Sequence, residues 1–154
     1  MMIRKLLLLF IIFSFNTRID AQILVQKIPD ENLCAIDFNL MSKGYQLAFS
    51  NMTSEEYLFK GREEEWKKCW INLMHDLNDY MKLKGIKPSA KTSCFNRIYF
   101  NKEGNIVAYL YHVKGLTTAQ EQKFNESVFQ FLIEQKVNIQ ANQNYWQYGT
   151  LKFE

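Results

Sequence analysis

The chain has 154 residues, enough for one domain with an ordinary hydrophobic core. It contains 12 Phe, 8 Tyr and 3 Trp but only 6 Gly and 2 Pro, and 23% of its residues are charged, which excludes a long disordered or Pro-rich linker. Of the formal net charge of +3, Arg4, Lys5, Arg18 and Asp20 together supply +2, so the remainder is close to neutral and gives no reason to expect nucleic acid or another polyanion as partner.

The N-terminus reads as a targeting segment. Arg4 and Lys5 precede an apolar run from Leu6 to Phe15, broken only by Ser14, and Ile19-Asp20-Ala21 places a small residue before Gln22. This is the layout of a secretory signal peptide spanning residues 1–21, with cleavage expected after Ala21. The run is about half the ~20 residues that cross a bilayer, so removal on export is expected rather than stable membrane insertion. The destination is the periplasm or the exterior. No Cys follows the run at a lipidation position.

Residues 22–61 are expected to form an N-terminal extension of short strands that packs on the domain that follows. Ile23 to Ile28, Ala35 to Leu40 and Tyr45 to Phe49 have strand-like apolar content. Residues 62–84 predict a helix. Trp66, Trp70, Leu73, Leu77 and Met81 recur at helical spacing and define one buried face. Glu63, Glu64 and Glu65 suit the positive end of its dipole, and Gly85 is a natural terminator.

Residues 94–113 predict a β-hairpin turning through Asn101-Lys102-Glu103-Gly104, with Gly104 at a left-handed position. If Asn101 pairs with Asn105, Phe100 opposes Ile106, Ile98 opposes Ala108 and Arg97 opposes Tyr109. The pleat then separates an aliphatic face (Ile98, Phe100, Ile106, Ala108, Leu110) from an aromatic face carrying one cation (Phe95, Arg97, Tyr99, Tyr109, Tyr111). Residues 119–135 predict a second helix with the stripe Phe124, Val128, Phe131 and Leu132, opened by a capping box of Thr118 and Glu121. Tyr145 to Phe153 predicts a last strand, with Trp146, Tyr148, Thr150 and Lys152 on one side. From residue 62 the order is α-β-β-α-β. Two amphipathic helices need a shared apolar partner, so both should cover one face of a small antiparallel sheet, giving an α+β fold.

This order resembles the C-terminal domain of TonB, the periplasmic energy transducer, over residues 62–154. The residues that carry the resemblance are the helix ending at Lys84-Gly85, the hairpin Arg97-Ile98-Tyr99-Phe100-Asn101-Lys102-Glu103-Gly104-Asn105-Ile106, the helix from Thr118 and the terminal Leu151-Lys152-Phe153. The resemblance implies a binding module whose terminal strand offers its edge to an extended peptide of the cell envelope. The chain departs from TonB in having a signal-length apolar run instead of a membrane helix, and only Pro29 and Pro88 where TonB has a Pro-rich spacer.

No catalytic motif is found. His75 and His112 form no HExxH, the serines no GxSxG, and there is no Gly-rich phosphate loop. Asp76 and Asp79 have the spacing of a solvated helix face. Cys34, Cys69 and Cys94 contain no CxxC, so neither a zinc nor a redox motif is written here. Cys69 lies beside the first helical stripe, which leaves Cys34 with Cys94 as the candidate disulfide in an exported chain. The candidate binding residues are Phe95, Arg97, Tyr99, Tyr109 and Tyr111 with Trp146 and Tyr148 on the aromatic face, and Thr150 at the strand edge. The chain therefore reads as an exported binding module for a protein or peptide, with no cofactor. An exported hydrolase of unrecognised constellation, or a carbohydrate or small-ligand binder, stands beside it. The alternative for the aromatic face is that residues 22–60 fold over it and make it a second core layer.

Overall fold

The computed structural model describes residues 23–28, 43–52, 55–86 and 92–152. The signal segment, Cys34, the strand expected at 35–40, Pro29, Pro88 and Phe153 lie outside the described residues. The elements are β1 (Leu24–Lys27), β2 (Gln46–Leu47), α1 (Glu63–Leu83), β3 (Ser93–Phe100), β4 (Ile106–Lys114), α2 (Thr118–Leu132) and β5 (Tyr145–Lys152). The α+β fold, with both helices on one face of the sheet, is the one the apolar patterns predict.

The sheet has the order β1-β4-β3-β5-β2. β3 is central and antiparallel to both β4 and β5. β1 adds parallel to β4, and β2 adds parallel to β5, so the sheet is mixed rather than purely antiparallel. The N-terminal extension thus contributes its own strands to both edges.

α1 forms because its apolar stripe finds a partner. Trp66, Leu73, Leu77 and Met81 are buried. Trp66 stacks on Phe59 at 5.1 Å and meets Phe100 and Tyr145 edge-on at 5.7 and 5.5 Å. At the N-terminus the Glu63 carboxylate accepts from the Gly61 N–H at 2.9 Å and the Tyr57 hydroxyl at 2.8 Å. The Gly61 N–H is the larger cause holding this carboxyl below its usual range. At the other end Gly85 has φ +70°, its N–H donates to the Lys82 carbonyl, and the Ile86 N–H donates to the Met81 carbonyl. That is a Schellman closure, and the buried Ile86 and Met81 supply its apolar contact.

α2 buries Phe124, Val128, Phe131 and Leu132, all four residues of the predicted stripe. Its capping box is Thr117 with Gln120, one residue earlier than the predicted Thr118 with Glu121. Both pairs have the required spacing; Thr117 is the one in extended backbone, at φ −73° and ψ 161°.

The hairpin carries the main departure from expectation. Phe100 opposes Ile106 as predicted, but Tyr99 then opposes Ala108, Ile98 opposes Tyr109 and Arg97 opposes Leu110. A β-bulge at Val107 shifts the register by one. A one-residue shift sends every later side chain to the other face. Tyr109, Tyr111 and Val113 therefore lie under the helices, while Leu110 belongs to a separate apolar cluster with Ile28 and Tyr99. The buried tyrosines are accommodated by polar partners: Tyr109 donates to the Asn96 carboxamide, and Tyr111 donates to Asn125 on α2 at 3.0 Å.

Gly104 ends the turn at φ +86°. A Cβ there would lie 2.2 Å from the Val137 carbonyl oxygen. The close approach lets residues 136–144 strap the turn: the Val137 N–H donates to the Gly104 carbonyl at 3.0 Å, and Ala141 to that of Lys102 at 3.0 Å.

Candidate functional site

The sheet has a helix-covered face and an opposite face, and β5 presents residues to both. Tyr145, Gln147 and Leu151 point toward the helices, where Tyr145 stacks on Phe100 at 5.0 Å. Gly149 sits beneath Trp70: a Cβ there would meet the indole at 3.1 Å, so the glycine lets the ring lie against the strand. Trp146, Tyr148, Thr150 and Lys152 alternate onto the opposite face, as the sequence predicts.

Of the predicted binding residues, the structure brings together Phe95, Arg97, Tyr99, Trp146 and Tyr148 of the aromatic face with Thr150 of the strand edge. Phe95 opposes Thr150, Arg97 opposes Tyr148 and Tyr99 opposes Trp146. Their side chains form a continuous row. The Arg97 guanidinium lies 3.8 Å from the Trp146 ring centroid and 5.6 Å from that of Tyr99. Trp146 stacks on Tyr148 at 5.7 Å, and Phe95 lies 6.3 Å from Tyr148. Tyr109 and Tyr111 do not join this row. They are buried on the helix side by the Val107 bulge, and burial raises both hydroxyl pKa values.

The row is graded in exposure. At its inner end Tyr99 is buried, met edge-on by Tyr45 at 5.2 Å, and clustered with Ile28 and Leu110. The N-terminal extension thus packs part of the aromatic face. Arg97 is buried as well, and that burial lowers its pKa. At the outer end Tyr148 is 45% exposed, Thr150 and Lys152 are exposed, and Phe95 and Trp146 are half-buried.

The outer edge of β5 is only partly paired. β2 reaches Tyr145 and Trp146 and no further. The Ala48 N–H donates to the Trp146 carbonyl at 2.8 Å, so the backbone groups of Trp146 face β2. By strand alternation those of Tyr148, Thr150 and Lys152 face the same way. Beyond Trp146 the Gln147 carboxamide stands where another rung would be: it accepts from the Phe49 N–H at 3.0 Å and donates to the Tyr148 carbonyl at 3.1 Å. No strand among the described residues pairs with Thr150 or Lys152 along this edge. The sequence signal for Gln147 is a single amide on the apolar side of an aromatic strand, and alternation alone gives it no role in ending the pairing.

His112 follows Ala108 and Leu110 on the face opposite the helices, and its Nδ1 is 3.0 Å from the Ile28 carbonyl oxygen. His75 is exposed on α1, with Nδ1 3.4 Å from Asp79 and 4.0 Å from Asp76. Cys94 is a free, buried thiol pushed up to about 12 by burial. Its candidate partner Cys34 lies outside the described residues. Cys69 is a free, half-buried thiol, also raised by burial. No group of His, Cys, Asp and Glu among the described residues is arranged to hold a metal ion. A cavity of about 620 Å³ opens between β1 and α2, lined by Ile23, Leu24, Val25, Asn125, Glu126 and Phe129. No helix among the described residues is long and apolar enough to cross a membrane.

Comparison with known proteins gives no match: no family model, no curated protein and no solved structure matches the chain.

Proposed function

We propose that the chain is an exported, non-catalytic binding module that captures an extended segment of a cell-envelope protein along the outer edge of β5. The observation that carries this reading is the mismatch of lengths at that edge: β5 runs for 8 residues, and β2 pairs with its first two. The open stretch presents outward backbone groups at Thr150 and Lys152, flanked by the exposed Tyr148 ring. An added strand gains main-chain hydrogen bonds from the edge and side-chain specificity from the face beside it. Export rests on the signal-peptide layout of residues 1–21, and the resemblance to the TonB C-terminal domain supports the same mode of capture without its membrane motor.

The test is site-specific photocrosslinking in the source cell envelope. A photoreactive residue at Tyr148 should trap a defined partner, and the same group at Asn72 on α1 should not. Thr150→Pro, which removes an outward donor, should abolish trapping while circular dichroism shows the fold intact. Equal trapping from both positions, or an unaffected Thr150→Pro, would refute edge capture.

A second reading is favoured by the ring row itself. Phe95, Trp146 and Tyr148 form a partly exposed aromatic platform of the kind that stacks on a sugar ring. Glycan-array binding lost in Tyr148→Ala but kept in Thr150→Pro would select it over edge capture.

A further inference from the structure

The charges of this molecule are segregated by layer. No Asp or Glu occurs in any of the strands β1 to β5, whereas Lys27, Arg97, Lys114 and Lys152 do. The described carboxylates sit on helices and loops. Those between β2 and Trp66 are engaged locally: Glu55 by the Ser50 hydroxyl, Glu56 by Lys60 at 3.8 Å, Glu64 by Lys67 at 2.8 Å and Glu65 by Arg62 at 2.8 Å. Glu63 is occupied by Tyr57 and Gly61. The cations of the sheet differ in their surroundings. Lys27 pairs with Glu121, and Arg97 is buried on Trp146. Lys152 is exposed at the open end of β5 and joins no ion pair among the described residues. The register aligns it with Ser93 and Lys114 in one row across β5, β3 and β4, so two lysines mark that end of the sheet.

Resting on the reading that β5 accepts an added strand, we propose that the segment it takes is acidic: an extended stretch of another protein with a carboxylate beside Lys152 and an apolar side chain beside Tyr148. A docked strand alternates its side chains with period two, so the residues beside Tyr148, Thr150 and Lys152 share one face. On that face β5 offers an aromatic ring, a small hydroxyl and an ammonium in order. Opposite charges paired across strands stabilise, and like charges destabilise. A lysine on the incoming strand at the same place would meet Lys152 with no carboxylate of the sheet to offset it. Complementary charge also raises the rate of encounter and enforces register.

The experiment uses the purified protein and two fluorophore-labelled, capped peptides of alternating Val and Thr. One carries Glu at both ends of the repeat and the other Lys. Affinity is read by anisotropy at low ionic strength, and the site by the amide NMR signal of Thr150. The Glu peptide should bind several-fold tighter than the Lys peptide and shift the Thr150 amide. Lys152→Glu should invert the preference, and Lys152→Gln should bring the two peptides together. Equal affinities with a shifted Thr150 amide would overturn the charge selection and leave edge capture standing. An unshifted Thr150 amide with both peptides would overturn edge capture and this inference with it.

Discussion

The guanidinium of Arg97 lies 3.8 Å from the ring centroid of Trp146, on the neighbouring strand. Arg97 is 6% exposed, so this cation has left bulk water and sits against an indole face. Desolvation strengthens such a contact relative to the same pair at an exposed site. The pair links the packed inner part of the aromatic row, at Tyr99 and Tyr45, to its exposed outer part at Tyr148.

Arg97→Lys should destabilise the fold by about 1–2 kcal/mol, because an ammonium cannot lie flat on the indole as the planar guanidinium does. The denaturant midpoint, followed by circular dichroism, checks this. An unchanged midpoint would mean that the stacking contributes nothing beyond charge.

Trp66→Ala should cost about 3–5 kcal/mol, since it removes the ring on which Phe59, Phe100 and Tyr145 converge. Glu64→Ala should stay within about 0.5 kcal/mol, as its only ion pair among the described residues is with Lys67 at the surface. Chemical denaturation of the two variants gives the comparison, and equal midpoints would refute the packing described for α1.

Gly104→Ala should destabilise by more than ~1 kcal/mol. The new Cβ would meet both a left-handed backbone at φ +86° and the Val137 carbonyl oxygen. The loss should show as early amide exchange at Val137 and Ala141, whose N–H groups hold the strap to the turn.

Stability should fall at alkaline pH. Burial raises the Cys94 thiol from 9.0 to about 12, and it raises the Tyr109, Tyr111 and Tyr145 hydroxyls above 10.0. The folded state therefore holds protons that the unfolded chain releases. This contribution is fully present below the unfolded values and is lost as pH climbs from about 9 through the folded ones. The urea midpoint measured from pH 8 to pH 11 should decline, and the decline should begin later in Cys94→Ala. A midpoint that stays level over this range would contradict the buried, protonated state of these groups.

Much of the architecture was legible in the residue pattern. The stripes of Trp66, Trp70, Leu73, Leu77 and Met81 and of Phe124, Val128, Phe131 and Leu132 repeat at a helical period, and an amphipathic helix has only one face it can bury; of these Trp70 alone is half-buried, at the margin of its stripe. Gly85 and Gly104 mark conformations that glycine adopts without a steric cost, so the helix end and the hairpin turn could be located from sequence. Phe95, Trp146, Tyr148 and Thr150 fall on a common face because β3 and β5 each alternate strictly and pair without a shift. Tertiary structure decided the rest. Whether Tyr109 or Leu110 faces the helices depends on the single extra residue at Val107, which strand periodicity cannot reveal. Which part of β5 stays open depends on where β2 stops and on the Gln147 carboxamide that replaces the next rung. The bulge is a choice made within the hairpin that alternation does not mark, whereas the β2–β5 pairing and the Phe49–Gln147 bond join segments far apart in the chain, and local pattern carries no information about where such segments meet.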